Sequence, residues 1–354
     1  MRKGVLLLAI VLLIFPLVSG ELLVSQPKTI YNLGDEFSVT LTLLSPTDAS
    51  DFLSAAFVCD GAEREIYKAP FALKAQEQRT IPLTAPLSSF FIGSLSGDCY
   101  LRAAYNGESA QSQHFLLTSE VTVQLSFVSG TLVDPGATLS INGSALKKNG
   151  APLLGVVEVS LPELNLSSQT LFNESFSAAF TLPAQTRSGA YLVSIRAYDR
   201  DAKNVVLNQG STSSLVRVSQ IPTSVSIALG TPRLTPGNAQ SYTVLVTDQA
   251  GDSLVLDANV TLVNAQGTVL DSRLVRSGAT QVFQSERLSA PGQWTFTTIA
   301  ADLTSTRSFV VEEVSNATYS FFNGTLSIHN EGNIPYNKQV TITIGSVQEV
   351  KQLF

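Results

Sequence analysis

Residues 236–246 read PGNAQSYTVLV. Tyr242, Val244 and Val246 recur at every second position, between Thr243, Leu245 and Thr247. Period-two recurrence of aromatic and β-branched side chains marks a half-buried strand. The preceding Pro236-Gly237 marks a turn. The same turn-then-strand punctuation stands earlier, as PGATLSING at 135–143 and LGDEFSVTL at 33–41. The glycines Gly34, Gly136 and Gly237 are separated by 102 and 101 residues. Gly150 and Gly251 each follow 14 residues after the second and third of these, at the place of a hairpin turn.

A second signal recurs further along: SGDCYLRAAY near Gly97, SGAYLVSIRAY near Gly189 and PGQWTFTTIAA near Gly292. Aligned without gaps, Cys99, Tyr191 and Trp294 share one position, two residues after the glycine. This position is predicted to face a core, filled by half a disulfide in the first repeat and by a large ring in the other two. A shift of one residue would instead match Tyr100 with Tyr191. Similar alternation covers Phe37–Thr42, Val157–Leu161 and Tyr191–Ile195, while no long stretch beyond the N-terminal twenty residues keeps a helical period. A period near one hundred residues fits one antiparallel β-sandwich per repeat.

The N-terminus, MRKGVLLLAIVLLIFPLVSG, has basic Arg2 and Lys3, an apolar run from Val5 to Val18, and the short residues Ser19 and Gly20. This pattern predicts a secretory signal peptide over 1–20; the alternative is an uncleaved membrane anchor. Net charge is −6 and charged residues make up 14%. No basic cluster offers a footprint for nucleic acid or for an anionic membrane surface. Contact with a membrane would therefore come only through an uncleaved signal or a C-terminal anchor absent from this sequence. The two cysteines, Cys59 and Cys99, are predicted to pair in an oxidising compartment. The competing reading, a Cys nucleophile served by His114, needs a free thiol outside the cell.

With these turns and strands, residues 21–312 resemble tandem immunoglobulin-like modules of secreted and surface-layer-type prokaryotic proteins, archaeal ones included. The resemblance implies an all-β fold of tandem immunoglobulin-like β-sandwich domains, divided 21–119, 120–219 and 220–313. Antibody-type domains carry a tryptophan between their cysteines, and here the only tryptophan is Trp294. The chain is therefore read as a distant relative. Residues 324–345, GTLSIHNEGNIPYNKQVTITIG, resemble the opening strands of a further surface module, with an Asn-x-Gly-Asn turn at Asn330–Asn333. The segment 314–354 is read as the truncated start of that module, or alternatively as extra strands on the third sandwich.

Six N-x-[ST] triplets start at Asn142, Asn165, Asn173, Asn259, Asn316 and Asn323 and are candidate glycosylation sites. If Val260 and Leu262 face a core, the Asn259 side chain reaches solvent. Asp199 and Asp201, with Asn204, form a weak calcium candidate, and Asp248 with Asp252 a weaker one; neither has EF-hand spacing. No other metal site and no cofactor is expected. Two histidines, no G-x-S-x-G elbow and no phosphate loop argue against an enzyme. Tyr319, Phe321 and Phe322, and the pair Phe90-Phe91, are read as packing residues; exposure would reopen a sugar-binding role. The sequence thus predicts a non-enzymatic extracellular or envelope protein, a rod serving as stalk or interaction scaffold for a surface protein or glycan. The alternatives are an adhesin or carbohydrate-binding module set, or the accessory region of an exported enzyme whose catalytic domain lies beyond residue 354.

Overall fold

A computed structural model describes residues 20–127 and 130–352. The segment 1–20, expected from the sequence to be a signal peptide, lies, but for Gly20, outside the described residues. Among the described residues the chain is all-β, with one four-residue helix, Ser89–Ile92, and one 3-10 turn, Pro162–Leu164. It divides into two compact units. The first takes the chain up to Ser129 with Ser140–Phe180 and Leu192–Leu215; the second takes Gly130–Leu139, Thr181–Tyr191 and Val216 onward.

In the first unit, strand Glu36–Leu44 lies between Glu21–Val24 and Gln78–Pro86 in a three-stranded sheet. A six-stranded sheet faces it, in which Ala49–Cys59 sits between Ala62–Leu73 and Gly97–Tyr105. The alternation of Phe37, Val39, Leu41 and Leu43 turns all four into the core between the sheets. Rings of Tyr31, Phe37, Phe57 and Phe115 meet there at centroid distances of 4.8–5.9 Å. Edge-to-face and tilted contacts of this kind add to the area they bury. Cys59 and Cys99 are bonded and buried at 2% and 0% exposure. They are direct register partners on adjacent strands of one sheet. This bridge therefore staples neighbouring strands, whereas an antibody-type bridge joins two sheets. Closing a loop of 40 residues is worth about 4 kcal/mol in the chain-entropy account. The same unit holds Val121–Phe127 paired with residues Ile141 to Lys147 of strand Thr138–Lys147, and Leu154–Leu161 paired on both sides, with Val157, Val159 and Leu161 turned inward.

In the second unit, a four-stranded sheet centred on Ala239–Asp248 faces a five-stranded one containing Asp257–Val263 and Gly292–Ala300. Tyr242, Val244 and Val246 point into the shared core with Trp294, Phe296 and Phe309. Beyond it, Ala317–Phe322 pairs with Thr325–Asn330, and Gln339–Ile344 pairs with Val347–Gln352. Among the described residues, these hairpins join neither sheet of the preceding sandwich.

The hundred-residue repeat has a backbone cause. Gly34, Gly136 and Gly237 take φ of 86°, 81° and 87°. Each sits third in a turn closed by the next residue's N–H: Asp35 to Asn32, Ala137 to Asp134 and Asn238 to Thr235, all at 3.1 Å. A positive φ at that turn position is left-handed space that a Cβ disfavours, hence glycine. A short strand before each turn pairs in parallel with the repeat's last strand: Ile30–Asn32 with Phe115–Thr118, Leu132–Val133 with Val206–Val218, and Arg233–Leu234 with Leu303–Val311.

The shared position after the second glycine holds in part. Cys99 and Trp294 are buried, but Tyr191 is only half-buried, and Val193 fills the core two residues on. Tyr191 lies at the strand's opening, where its hydroxyl donates to the Arg187 carbonyl at 2.7 Å. Trp294 does the equivalent, its indole N–H donating to Ala290 O at 3.0 Å, also four residues back.

Candidate functional site at the sandwich junctions

Three polar junctions stand out, each contained within one unit. In the first unit the linker at Ser119-Glu120 is held at Glu120 O by one side-chain amide, Asn32, which belongs to a cluster of three. Asn32 lies on the short strand of the first repeat and Asn208 on strand Val206–Val218; both are fully buried. The Asn32 amide donates to Glu120 O at 3.0 Å and to Asn208 Oδ1 at 3.1 Å. The Asn208 amide donates to Leu33 O at 2.8 Å and to the Asp199 carboxylate at 3.0 Å. From the hairpin turn at Gly150, the Asn149 backbone N–H reaches Asn32 Oδ1 at 3.1 Å, and its side chain reaches Asp35 at 2.6 Å. Lys147 Nζ stands 3.7 Å from Asp35 and 3.5 Å from Asp199. Buried amides in such a network are costly to orphan, so the contacts act as a unit.

In the second unit the hairpin turn at Gly251 does comparable work with one amide. Gln249 Nε2 donates to Ser219 O at 3.1 Å and to Thr186 O at 2.9 Å; its Oε1 accepts from Ile221 N–H at 2.9 Å. Gln249 thus holds both sides of the linker and the loop before Gly189. Asp252 takes Arg187 through two oxygens, at 2.7 and 3.0 Å. Asp248, buried, accepts from the Gln220 amide and from Ala250 and Asp252 N–H. Burial would raise the Asp248 pKa. The Gln220 amide, those backbone groups and the nearby Arg187 charge outweigh burial and hold it below the usual carboxylate range.

The third junction repeats the three bonds of the Gln249 amide. Asn333 Nδ2 donates to Glu312 O at 2.8 Å and to Ser289 O at 2.9 Å, and its Oδ1 accepts from Val314 N–H at 2.7 Å. Arg287 pairs with Glu331, as Arg187 does with Asp252. Thr186 and Ser289 lie at the same offset, three residues before Gly189 and Gly292. The aromatic tip at Tyr191 or Trp294 bonds the next carbonyl along, so the ring that opens each strand also orders the loop the clamp reads. Gly332 completes the fit: a Cβ there would lie 2.0 Å from Val314 O. The Asn-x-Gly-Asn turn was legible in the sequence, but its linker partners were not. Gln249 was missed altogether; its only sequence mark is its place in a hairpin turn.

The remaining sequence candidates fall elsewhere. Asp199 is taken by Asn208 and Lys147. Asp201 caps its own turn through Lys203 and Val205 N–H, and Asn204 accepts from Arg200. A lysine ammonium thus lies beside Asp199 where a cation would be needed, and no cluster of three or more metal-type side chains occurs among the described residues. Asp248 and Asp252 serve the second junction. With Cys99 in the disulfide, His114 pairs instead with Asp98 at 2.7 Å. All six sequon asparagines, Asn142, Asn165, Asn173, Asn259, Asn316 and Asn323, are exposed, and Val260 and Leu262 beside Asn259 are buried. The packing expectation for the aromatics divides. Phe91 packs on the first core, but Phe90 is 80% exposed beneath Lys203, and Phe321 and Phe322 are 67% and 76% exposed. Phe321 and Tyr319 share a face of a two-stranded hairpin with Leu326 and Ile328. An open cavity of about 560 Å³ adjoins that face, lined by Leu288, Ile328, Asn333 and Tyr336. No helix among the described residues is long and apolar enough to cross a membrane.

No protein-family model matches the sequence, and no curated protein matches it. Among solved structures, the chain is similar to one concerning host cell surface retention of a 1.5-MDa bacterial ice-binding adhesin, with 12% identity over 83% of this chain and 96% of that one and a TM-score of 0.33. It is also similar to FdeC, an Escherichia coli adhesin, at 11% identity over 83% and 96% with a TM-score of 0.36. Elastase-activated Escherichia coli alpha-2-macroglobulin overlaps 92% of this chain and 35% of its own at 14% identity, with a TM-score of 0.26.

Proposed function

We propose that this chain is a non-enzymatic, exported cell-surface or envelope protein, a stalk of immunoglobulin-like sandwiches that presents a partner surface at a set distance. The sandwiches are divided near 21–119, 120–219 and 220–313, with a further β module from 314. The observation that carries this reading is the amide clamp at Gln249 and its repetition at Asn333. A flexible tether would join its modules by solvated Gly/Ser segments with no recurrent partner. Here the same three carbonyl and N–H groups are held twice by side chains of different length, which is what a fixed joint requires. The test is a comparison of particle dimensions, by small-angle scattering and single-particle images, between the wild type and the double variant Gln249→Ala/Asn333→Ala. A stalk gives one narrow distribution that broadens in the variant. Equal breadth in both would remove the support. Protease shaving of intact native cells checks surface display, since a buried or cytosolic chain would be spared.

A second reading, binding of a surface glycan, is favoured by one observation: the exposure of Tyr319, Phe321 and Phe322 on the hairpin that pairs Ala317–Phe322 with Thr325–Asn330. Aromatic faces open to solvent can stack on the apolar faces of sugars. Loss of glycan-array signal in Phe321→Ser/Phe322→Ser, with the fold intact, supports this reading; unchanged signal rejects it.

A further inference from the structure

We infer that Asn173 and Asn259 carry N-linked saccharides whose first residues cover rows of exposed leucine and isoleucine on the outer faces of their sheets. This inference stands apart from the stalk reading and depends on export and on a host that transfers saccharide to N-x-[ST] acceptors.

Two independent observations meet at each site. The first is the acceptor triplet, Asn173-Glu174-Ser175 and Asn259-Val260-Thr261. The second is what flanks each asparagine in the sheet. Asn259 lies on the middle of three strands, and its direct register partners are Leu274 on one side and Ile299 on the other. These two are 63% and 50% exposed. Asn173 is the register partner of Leu154, 72% exposed, and stands two residues from Leu171, 81% exposed, on the same outward face. Phe172, Val260 and Leu262 turn inward, which fixes both asparagines outward.

Direct cross-strand partners have Cβ atoms about 5 Å apart. A saccharide leaving the Asn259 amide nitrogen must therefore pass over Leu274 or Ile299. The C–H face of its first ring and its acetamido or hydroxyl rim then meet apolar surface on one side and water on the other. Asn142 differs: its register partner is Ser126, and its same-face neighbours on the strand are Ser140 and Ser144. A saccharide there would pass over these serine hydroxyls rather than over a leucine or isoleucine partner.

The attachment itself balances with a lipid-linked oligosaccharide phosphate as donor. The Asn Nδ2–C1 bond forms and the donor's C1–O bond breaks. The lipid phosphate leaves with the bonding pair, and the amide nitrogen gives up one proton. No electrons are transferred to or from an external agent.

The experiment uses the full chain purified from its native cells. Glycopeptide mass spectrometry is expected to find saccharide on both Asn173 and Asn259. The double variant Asn173→Gln/Asn259→Gln, made in the same host, is expected to bind roughly twofold more of the apolar dye ANS and to self-associate in sedimentation. Ser175→Ala/Thr261→Ala, which removes the acceptor triplets while keeping both asparagines, should do the same. Adding Leu154→Thr, Leu171→Thr, Leu274→Thr and Ile299→Thr to the bare variant should return both readouts to the wild-type level. Asn142→Gln should change neither readout. A bare asparagine at either site in native protein overturns the inference. So does full occupancy at both sites with no change in dye binding or association when the saccharides are removed.

Discussion

The junction in the first unit and the two in the second solve one problem by different means. At the first junction the linker carbonyl is held by Asn32, which with Asn208 forms a buried amide pair beside a lysine set between two aspartates. At Gln249 and Asn333 a single half-exposed amide does the holding. The difference tracks the position shared by Cys99, Tyr191 and Trp294. Where that position holds a ring with a polar tip, the tip pins the preceding loop, and the loop's carbonyl becomes a docking point. A disulfide-bonded Cys99 has no such donor. The first repeat instead offers its edge strand, through Asn32. The way each linker is held thus goes with the side chain that opens that strand, a ring with a polar tip or a bonded cysteine.

The comparison is broken most directly at Asn208. Asn208→Ala leaves Leu33 O without its side-chain donor and strips the amide from the Asp199 carboxylate, in a place water does not reach. A loss of about 3 kcal/mol from the first unit is expected, read in chemical denaturation. A loss below about 1 kcal/mol would mean that the network is no stronger than the single clamps. Gln249→Ala and Asn333→Ala should each cost about 1 kcal/mol, and by nearly equal amounts, because their partners correspond. Unequal losses would end the equivalence.

Acidity should separate the units next. The Asp248 pKa is depressed in the folded chain, so its contribution is present above the unfolded carboxylate value of about 3.9 and is lost as pH falls through the lower, folded value. The second unit should therefore lose stability in that acid window, and Asp248→Asn should flatten the slope. An unchanged slope in the variant would place the acid sensitivity elsewhere. The smallest effect belongs to Arg187→Ala. The pair is exposed, with Arg187 at 70%, and its loss should cost well under about 1 kcal/mol and fade with added salt. A large, salt-independent loss would give Arg187 a packing role that its exposure does not suggest.

Much of the fold was legible in the chain. Alternation at Phe37–Thr42 and at Tyr242–Val246 marked strands because a pleated strand turns successive side chains to opposite faces. The recurrent Gly34, Gly136 and Gly237 were legible because left-handed backbone admits few other residues. The junctions were not, for a plain reason. Asn32 and Asn208 are 176 positions apart, and a lone asparagine or glutamine in a turn reads as turn chemistry whatever it touches. Asp199 shows the same blindness: the sequence offered it as a cation ligand, and the fold brought Lys147 beside it.

What the sequence determined by itself was the local menu: strands, left-handed turns, a hundred-residue period, the acceptor triplets and a pair of cysteines. Each depends on neighbours a few residues away, or on a pattern repeated along the chain. What only the tertiary structure decided was which amides meet which carbonyls across a junction, that the disulfide staples two strands of one sheet, and which asparagines stand among uncovered leucines. Those depend on surfaces assembled from distant segments. Hydrogen bonds and apolar contacts act over a few ångströms in space, and no spacing along the chain encodes that nearness.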